Sequence, residues 1–304
     1  MARCQGVYRV GISDVFPLGR SVETSIIINM KVVILTSNYY LAANIALKTF
    51  LEHRLLRRHK IEVAGVVAIA NAEANAKTLQ TGYRFLKRSG PWFFLNVVLL
   101  TIWQKWILRL ARYFIPNRMR HDFELEELAA RHNVPYLQVS DINSQEAHDF
   151  ISSKTPDYLV SSLLLQILKP NILALPSKGS INFHPALFQR HRGIFANFWT
   201  LIKNWKQGGA TVHFMTNKID GGKVIIQKRF LVKKSDTMFD VNIKSAKLGG
   251  KLLAKALAKL NQNEAAGFSL KKLSKIFTTP AWSEVKEFIK RKKSFIKLKD
   301  IFRI

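Results

Sequence analysis

The sequence predicts an α/β fold in which a mostly parallel, twisted sheet is flanked by helices. Short apolar runs rich in β-branched residues alternate with segments of helical periodicity, and this alternation is typical of βαβ units. The first run, Lys31–Leu35, has the continuous apolar character of a buried parallel strand. Further strands are predicted at 61–69, 135–139, 158–162, 180–183, 211–215 and 224–232, and helices at about 40–59, 122–132, 144–153, 194–206 and 238–262.

The composition limits the class of protein. With 48% hydrophobic and 22% charged residues among 304, the chain can bury a sizeable core. Cys4 is the single cysteine, which excludes an intrachain disulfide and fits a reducing, cytoplasmic compartment. The net charge of +28 suits a polyanionic partner, such as nucleic acid or an anionic membrane face, but also suits a basic background spread over solvated surfaces.

The chain divides into a central domain and three less regular segments. Residues 1–29 lack the apolar stretch of a signal peptide, and we interpret them as a dispensable extension or a start-site error. The Rossmann-like domain is predicted to cover 30–262, with an insertion at 84–120. Residues 263–304 are predicted to form a basic tail, since residues 251–304 hold 14 Lys and Arg against 4 Asp and Glu.

The insertion contains an apolar stretch, 91–115, whose length nearly suits a membrane span. Lys105, Arg109 and Arg112 interrupt it, on one side of the predicted helix, with tryptophans such as Trp103 largely elsewhere. That pattern is typical of a helix lying in a membrane interface. Four arrangements of this segment are consistent with the pattern: peripheral contact with a membrane, contact with a second subunit, packing on the protein's own core, and a true membrane span. The sequence does not give the oligomeric state.

Three side chains carry the strongest chemical signal. Asn182 and His184 are two residues apart in a predicted strand, so they point to the same face, and Pro185 ends the strand beside them. Asp220, on a Gly-Gly turn between two β-rich runs, is expected to reach the imidazole. Together they suit attack of an amine on a carbonyl: His184 accepts the amine proton, Asn182 donates to the oxyanion, and Asp220 orients the imidazole.

Each of these residues also has a simpler interpretation. Alone, the asparagine is a turn former, the histidine a satisfied polar group and the Asp-Gly a turn. His213 alternates with Thr211 on a strand and is interpreted as structural, while His191 is interpreted as part of a solvated loop, with substrate contact as the alternative. Since the remaining histidines are scattered without a His-x-x-x-His pair, no metal site is predicted.

Taken together, these residues resemble the 10-formyltetrahydrofolate-dependent formyltransferases. Gly179–Leu187 is similar to the family's strand with catalytic Asn and His, and Gly209–Ile225 to the segment that contains the catalytic Asp. The separation of His184 from Asp220, 36 positions in the sequence, suits the family, and the similarity covers roughly 30–260. The resemblance implies transfer of a formyl group from 10-formyltetrahydrofolate, as co-substrate, to a primary amine, without a metal.

The resemblance also implies binding residues. The run from Leu163 to Leu168 is similar to the hydrophobic stretch that lines the family's folate pocket, with core packing as the alternative. Arg192 and Gly193 resemble the arginine-glycine pair after the catalytic strand and are expected to bind substrate. The folate contacts implied are Leu163, Leu165, Gln166, Ile167, Leu168 and Gly221.

The identity of the acceptor is narrowed by departures from the family. Thr36–Leu41 lacks the Gly-rich phosphate loop of the glycinamide ribonucleotide enzymes. The methionyl-tRNA enzymes, whose partner is tRNA, resemble the catalytic half but usually add a C-terminal β-barrel, for which too few residues follow 262. Amino-sugar enzymes share an aromatic after the loop, here Phe198–Trp199. We predict a methionyl-tRNA formyltransferase-like function, with amino-sugar N-formylation and a non-catalytic module that binds RNA or membrane as alternatives.

Overall fold

A computed structural model describes residues 29–38, 41–69, 76–114, 124–264, 267–297 and 300. For 76–79, 81 and 101–114 only the backbone is described. The interpretation of residues 1–28 as an extension, and the part of the insertion at 115–120, therefore lie outside the described residues.

The strands and helices of the described chain follow the predicted alternation. The strands are β1 Met30–Ser37, β2 Ile61–Ile69, β3 Tyr136–Val139, β4 Tyr158–Ser162, β5 Gly179–His184, β6 Arg192–Gly193, β7 Gln207–Phe214, β8 Val224–Leu231 and β9 Ile276–Phe277. The helices are α1 Leu41–Leu51, α2 Arg54–Arg58, α3 Ala76–Phe114, α4 Leu125–Arg131, α5 Gln145–Ser153, α6 Pro170–Leu173, α7 Ala196–Ile202, α8 Met238–Asn261 and α9 Trp282–Lys290.

Seven of these strands form one sheet in the order β3-β2-β1-β4-β5-β7-β8. The first five in that order are parallel, and β7 and β8 add to the edge in antiparallel orientation. The strand order reverses between β1 and β4, which makes that pair the topological switch point where open α/β sheets form a ligand crevice. The predicted Rossmann-like α/β fold is confirmed.

Helices cover both faces of the sheet, so β1 is buried on both sides. Val32 and Ile34 pack in a cluster with residues of α1, α4 and α8, whereas Val33 and Leu35 pack in a second cluster with residues of α5 and α6. Because alternate side chains of a strand point to opposite faces, burial of both faces requires a continuous apolar run. This explains why the first strand has no polar alternation.

One predicted helix is divided in two. The helix expected over about 40–59 ends at Leu51, and a second helix begins at Arg54. The His53 ring accepts a hydrogen bond from the Leu55 backbone N–H at 3.3 Å, so His53 serves as the N-cap of α2. The cap at His53 therefore marks the start of a second helix, which the periodicity of the sequence does not separate from the first.

The inserted helix packs partly on the protein's own core. Gly90, with φ 80°, interrupts α3, and after it Phe93 and Leu100 are buried among residues of α7, α8 and α9. Own-core packing therefore applies to Phe93 and Leu100, whereas Leu95 and Leu99 are about half exposed. The interface pattern of Trp103, Lys105, Arg109 and Arg112 falls on side chains outside those described. Of the helices described, none combines the length and apolarity needed to span a membrane.

The C-terminal segment is built into the same core. β9 pairs in parallel with β6, and α9 buries Val285 and Phe288. Phe288 stacks on Phe198 of α7 with ring centroids 4.9 Å apart, and Phe295 lies 5.2 Å from Phe93 of α3. Residues 267–297, predicted as part of a basic tail, thus contribute apolar side chains to a hydrophobic cluster beside the sheet.

Candidate active site

The predicted catalytic strand lies between a parallel and an antiparallel neighbour. β5 pairs with β4 on one side and with β7 on the other, where Asn182 is opposite His213 and His184 opposite Thr211. The Asn182 Nδ2 atom lies 3.1 Å from His213 Nε2. The pairing register thus places a second imidazole beside the carboxamide, in addition to that of His184.

Asp220 lies at the centre of this group of side chains. Its Oδ2 atom is 3.6 Å from His184 Nδ1 and its Oδ1 atom is 3.7 Å from His213 Nε2. The Gly193 backbone N–H donates to Oδ2 at 2.6 Å. The Asp220 backbone has φ 46°, a left-handed conformation that aspartate tolerates better than most residues and that often occurs at functional sites. The structure therefore brings the three predicted catalytic residues together.

A third histidine belongs to the same cluster. His191 is fully buried, its Nδ1 atom lies 3.4 Å from His184 Nε2, and its Nε2 atom lies 3.1 Å from the Ile194 carbonyl oxygen. The interpretation of His191 as part of a solvated loop is wrong, because the ring is enclosed between His184 and Phe277.

Burial keeps all three imidazoles neutral. It lowers the pKa of His184 to about 4, an effect that a hydrogen bond to the His191 main chain opposes and the nearby Arg192 charge reinforces. Burial likewise lowers the pKa of His191 to about 3 and that of His213 to about 4, although Asp220 opposes the shift for both. Because each value lies well below neutrality, these rings are uncharged bases at physiological pH.

The hydrogen-bond partners assign the tautomers of these neutral rings. A carbonyl oxygen only accepts, so His213 Nδ1, 2.8 Å from the Phe214 carbonyl, carries a hydrogen, and so does His191 Nε2 opposite Ile194. The bare Nδ1 of His191 then accepts from His184 Nε2–H. His184 Nδ1 and His213 Nε2 are left without hydrogens, and both face the Asp220 carboxylate. The structure thus places two ring nitrogens beside one carboxylate.

The predicted substrate residues Arg192 and Gly193 contact Asp220 in this structure. Arg192 Nε donates to the Ser274 carbonyl at 3.0 Å and Nη1 lies 3.5 Å from the Asp220 carbonyl. Gly193 donates its N–H to the Asp220 side chain. Both therefore hold the acid in place, and a substrate contact by the remaining guanidinium nitrogen stays a prediction.

The predicted folate-binding run occupies the loop after β4, at the switch point of the sheet. Leu163 has φ 55°, which is costly for a branched side chain, and the Leu165 N–H donates to Ser37 Oγ at the end of β1. Leu165 and Ile167 are 57% and 75% exposed, so they present apolar surface where a ligand is expected. Two members of the run have local structural roles instead. Leu168 is buried in the core, and the Gln166 side chain bonds the backbone of Ser140 and Ile142.

Gly221, the remaining predicted folate contact, lies in the turn beside Asp220. Its N–H donates to the Lys218 carbonyl oxygen at 3.2 Å, and the residue is half-buried. A folate contact through this glycine stays a prediction.

Two cavities are described elsewhere on the molecule. One of ≈ 320 Å³ is lined by residues of α7 and α9 and by Lys203 and Arg291, which directly follow these helices. The other, of ≈ 190 Å³, is lined among others by Lys206, Lys233 and Lys234. Neither includes a residue of the proposed catalytic group. Within the described residues, no three His, Cys, Asp or Glu side chains are arranged to hold a metal ion.

His191 and His213 are site residues that the sequence reasoning did not assign a role. The signal for His213 was its alternation with Thr211 in a strand that pairs with β5, but the register of that pairing is not visible in the sequence. The contact of His191 with Phe277 joins residues far apart in the chain, and nothing local indicates it.

Part of the chain matches a known protein family. Residues 114–257 match the family described as Formyl transferase. This segment, which contains Asn182, His184 and Asp220, is a formyltransferase-family domain.

Curated relatives are similar in sequence to part of this chain, and a solved structure shares its fold. Methionyl-tRNA formyltransferase of Clostridium tetani (strain Massachusetts / E88) is 31% identical over 134 residues, which are 44% of this chain and 43% of that protein. Bifunctional polymyxin resistance protein ArnA of Wigglesworthia glossinidia brevipalpis is 33% identical over 113 residues, 37% of this chain and 17% of that protein. The matches thus span less than half the length of these relatives. Glycinamide ribonucleotide transformylase 1 from Symbiobacterium toebii shares the fold, with a TM-score of 0.53 and 16% identity over 82% of this chain and 94% of that one.

Proposed function

We propose that this protein transfers a formyl group from 10-formyltetrahydrofolate to the primary amine of methionyl-tRNA. The observation that carries the proposal is the convergence of Asn182, His184 and Asp220 in one cluster within a segment that matches the Formyl transferase family. The folate supplies an activated formyl carbonyl when bound. The exposed apolar surface of Leu165 and Ile167, beside the switch point, suits a flat pterin ring.

Each residue of the cluster has a separate task in this reaction. Asn182 uses one amide hydrogen to bond His213 Nε2, which fixes the carboxamide and leaves its second hydrogen for the negative charge that develops on the formyl oxygen. When the amine forms its new C–N bond it releases a proton, and the Nδ1 atom of His184 takes it up. Asp220, 3.6 Å from that nitrogen, stabilises the imidazolium. The bond between the formyl carbon and the folate nitrogen then breaks, and the imidazolium returns the proton to that nitrogen, which leaves with tetrahydrofolate.

The decisive experiment removes the base. His184→Ala should lower turnover by about 10²–10⁴-fold, the range typical of a general base, while the circular dichroism spectrum is preserved. His148→Ala, which removes a partly exposed histidine from α5, is the matched control and should keep turnover. Normal turnover by His184→Ala would end the mechanism. Binding of RNA without folate affinity would instead favour the non-catalytic module.

The choice of acceptor is supported by a basic cavity near the catalytic loop. The ≈ 190 Å³ cavity is lined by Lys206, Lys233, Lys234 and Lys293, and its described lining contains no carboxylate. Its Trp205 lies under the guanidinium of Arg190, 5.8 Å from the ring centroid, and Arg190 directly precedes His191. Lysines around a cavity suit a phosphate-rich acceptor such as tRNA.

One argument for an amino-sugar acceptor is not supported by the burial of the side chains concerned. It depended on aromatic side chains after the catalytic loop, and Phe198 and Trp199 are 0% and 3% exposed. Because both pack in the core formed with α9, they are not available to stack on a sugar or base.

A charge-reversal experiment separates the acceptor classes. Lys233→Glu with Lys234→Glu should raise the KM for methionyl-tRNA by about tenfold or more and reduce the salt dependence of tRNA binding, since each phosphate contact contributes a slope of about one. Lys251→Glu with Lys255→Glu makes the same charge change on the exposed face of α8. Equal effects of the two pairs would show that only net charge matters. Transfer to a small amino sugar but not to methionyl-tRNA would refute the assigned acceptor.

A further inference from the structure

His191 is held more tightly than a loop residue needs to be. Its ring stacks on Phe277 with centroids 4.9 Å apart and planes at 15°, and lies parallel to the His184 ring at 5.6 Å and 10°. Both ring nitrogens are engaged, one by the Ile194 carbonyl and one by His184. Position, plane and hydrogen bonding of this imidazole are therefore all determined by its surroundings.

The C-terminal segment supplies the other half of this enclosure. Phe277 belongs to β9, which pairs with β6 directly after His191. The Ile194 N–H donates to the Phe277 carbonyl at 3.1 Å, and the Ser274 N–H donates to the Phe188 carbonyl at 3.0 Å. The Ile194 carbonyl that accepts from His191 is thus held by pairing with β9.

The direction of the hydrogen-bond chain follows from its first acceptor. The Ile194 carbonyl requires a hydrogen on His191 Nε2, which leaves His191 Nδ1 able only to accept. His184 must then carry its hydrogen on Nε2, so its bare nitrogen is Nδ1. A phenylalanine in place of His191 would keep the stacking and the contact of His184 with the main chain of residue 191, but would remove the acceptor on the ring.

We propose that His191 is a positioning residue that fixes His184 as its Nε2–H tautomer and thereby directs proton uptake to Nδ1, beside Asp220. The catalytic meaning of this assignment rests on the proposed formyl transfer. The tautomer itself does not, and it can be measured without any substrate.

The experiment reads the tautomer directly. The full chain is labelled with ¹⁵N-histidine, the His184 ring signals are assigned by their loss in His184→Gln, and two-bond ¹H–¹⁵N spectra identify the protonated nitrogen. The wild-type protein should show a protonated Nε2 and a bare Nδ1 for His184. A protonated Nδ1 in the wild-type protein would overturn the proposal without the need for any variant.

Three variants separate hydrogen bonding from packing. His191→Phe should shift His184 toward the Nδ1–H form and reduce turnover by about 10- to 100-fold with KM within about twofold, as loss of an oriented base does. His191→Asn retains an acceptor close to Nδ1 and should restore the wild-type tautomer. Phe277→Leu, which removes the stacking and leaves both hydrogen bonds, should also keep it. An unchanged His184 tautomer in folded His191→Phe would refute the role. If the wild-type protein shows the expected Nε2–H tautomer but neither it nor any variant transfers a formyl group, the proposed function is contradicted instead.

Discussion

Gly193→Ala tests whether the pairing of β6 with β9 holds Asp220, the proposed orienting acid, in place. Gly193 has φ 95°, and a Cβ atom at this position would lie 2.1 Å from the Phe277 carbonyl oxygen. Alanine would therefore both strain the backbone and push the two strands apart. The same residue donates the 2.6 Å hydrogen bond to Asp220, so the displacement reaches the active site.

The expected magnitude follows from three contributions. A left-handed conformation costs an alanine about 1–2 kcal/mol. Loss of the Ile194–Phe277 backbone bond adds about 0.5–1.5 kcal/mol, and loss of the bond to the Asp220 carboxylate about 1.5–3 kcal/mol. The free energy of unfolding should fall by roughly 3–6 kcal/mol, with turnover falling as well because Asp220 is no longer fixed.

Two other glycines provide matched controls. Gly179 has φ 124° with nothing within 4 Å of an added Cβ, so Gly179→Ala isolates the backbone strain. Gly82 lies in α3, also with open space, so Gly82→Ala should stabilise the protein by about 0.5–1 kcal/mol. Guanidinium unfolding and formyl-transfer assays on all three variants provide the measurements. If Gly193→Ala costs no more than Gly179→Ala, the close approach of β9 does not stabilise the site.

Two further predictions concern acid stability and the folate loop. Because burial lowers the pKa values of His184, His191 and His213 below 6.5, the unfolded chain binds more protons than the folded one as the pH falls from 6.5 toward about 4. The contribution of these histidines to the free energy of unfolding should be fully present above that window. Within the window it should fall by up to about 1.4 kcal/mol per pH unit for each histidine. Equal urea midpoints at pH 7 and pH 5 would contradict this. Ile167→Ser should raise the KM for the folate by about tenfold, by loss of buried apolar contact, whereas Ile289→Ser on α9 should leave it unchanged. Steady-state kinetics with varied folate measure both, and equal KM values for the two variants would exclude Ile167 from the folate site.

The sequence was sufficient for the fold class because the information is local. Periodicity identifies strands and helices one segment at a time, and β1 shows its double burial in its own composition. The proximity of Asp220 to His184 was expected from the position of Asp220 in a turn between two β-rich runs. The family resemblance supported it with non-local information that periodicity lacks.

The parts that were missed depend on contacts between distant segments. The loop around His191 is polar, with Arg190 and Arg192 beside it, so its composition predicts solvation. The ring is buried because Phe277, from a segment predicted as a tail, covers it. That segment is basic on its exposed side and apolar at positions such as Phe288, and its net charge obscured the apolar pattern.

The enclosure of His191 by β9 also sets the order in which the site can be completed during synthesis. Phe277 leaves the ribosome more than ninety residues after His184. Until then the catalytic strand can pair with its neighbours while the histidine pair beside it lacks its cover. All of the predicted catalytic residues are therefore synthesised before β9 is available to fix their orientation. The ability to catalyse the proposed reaction is acquired only after β9 has paired.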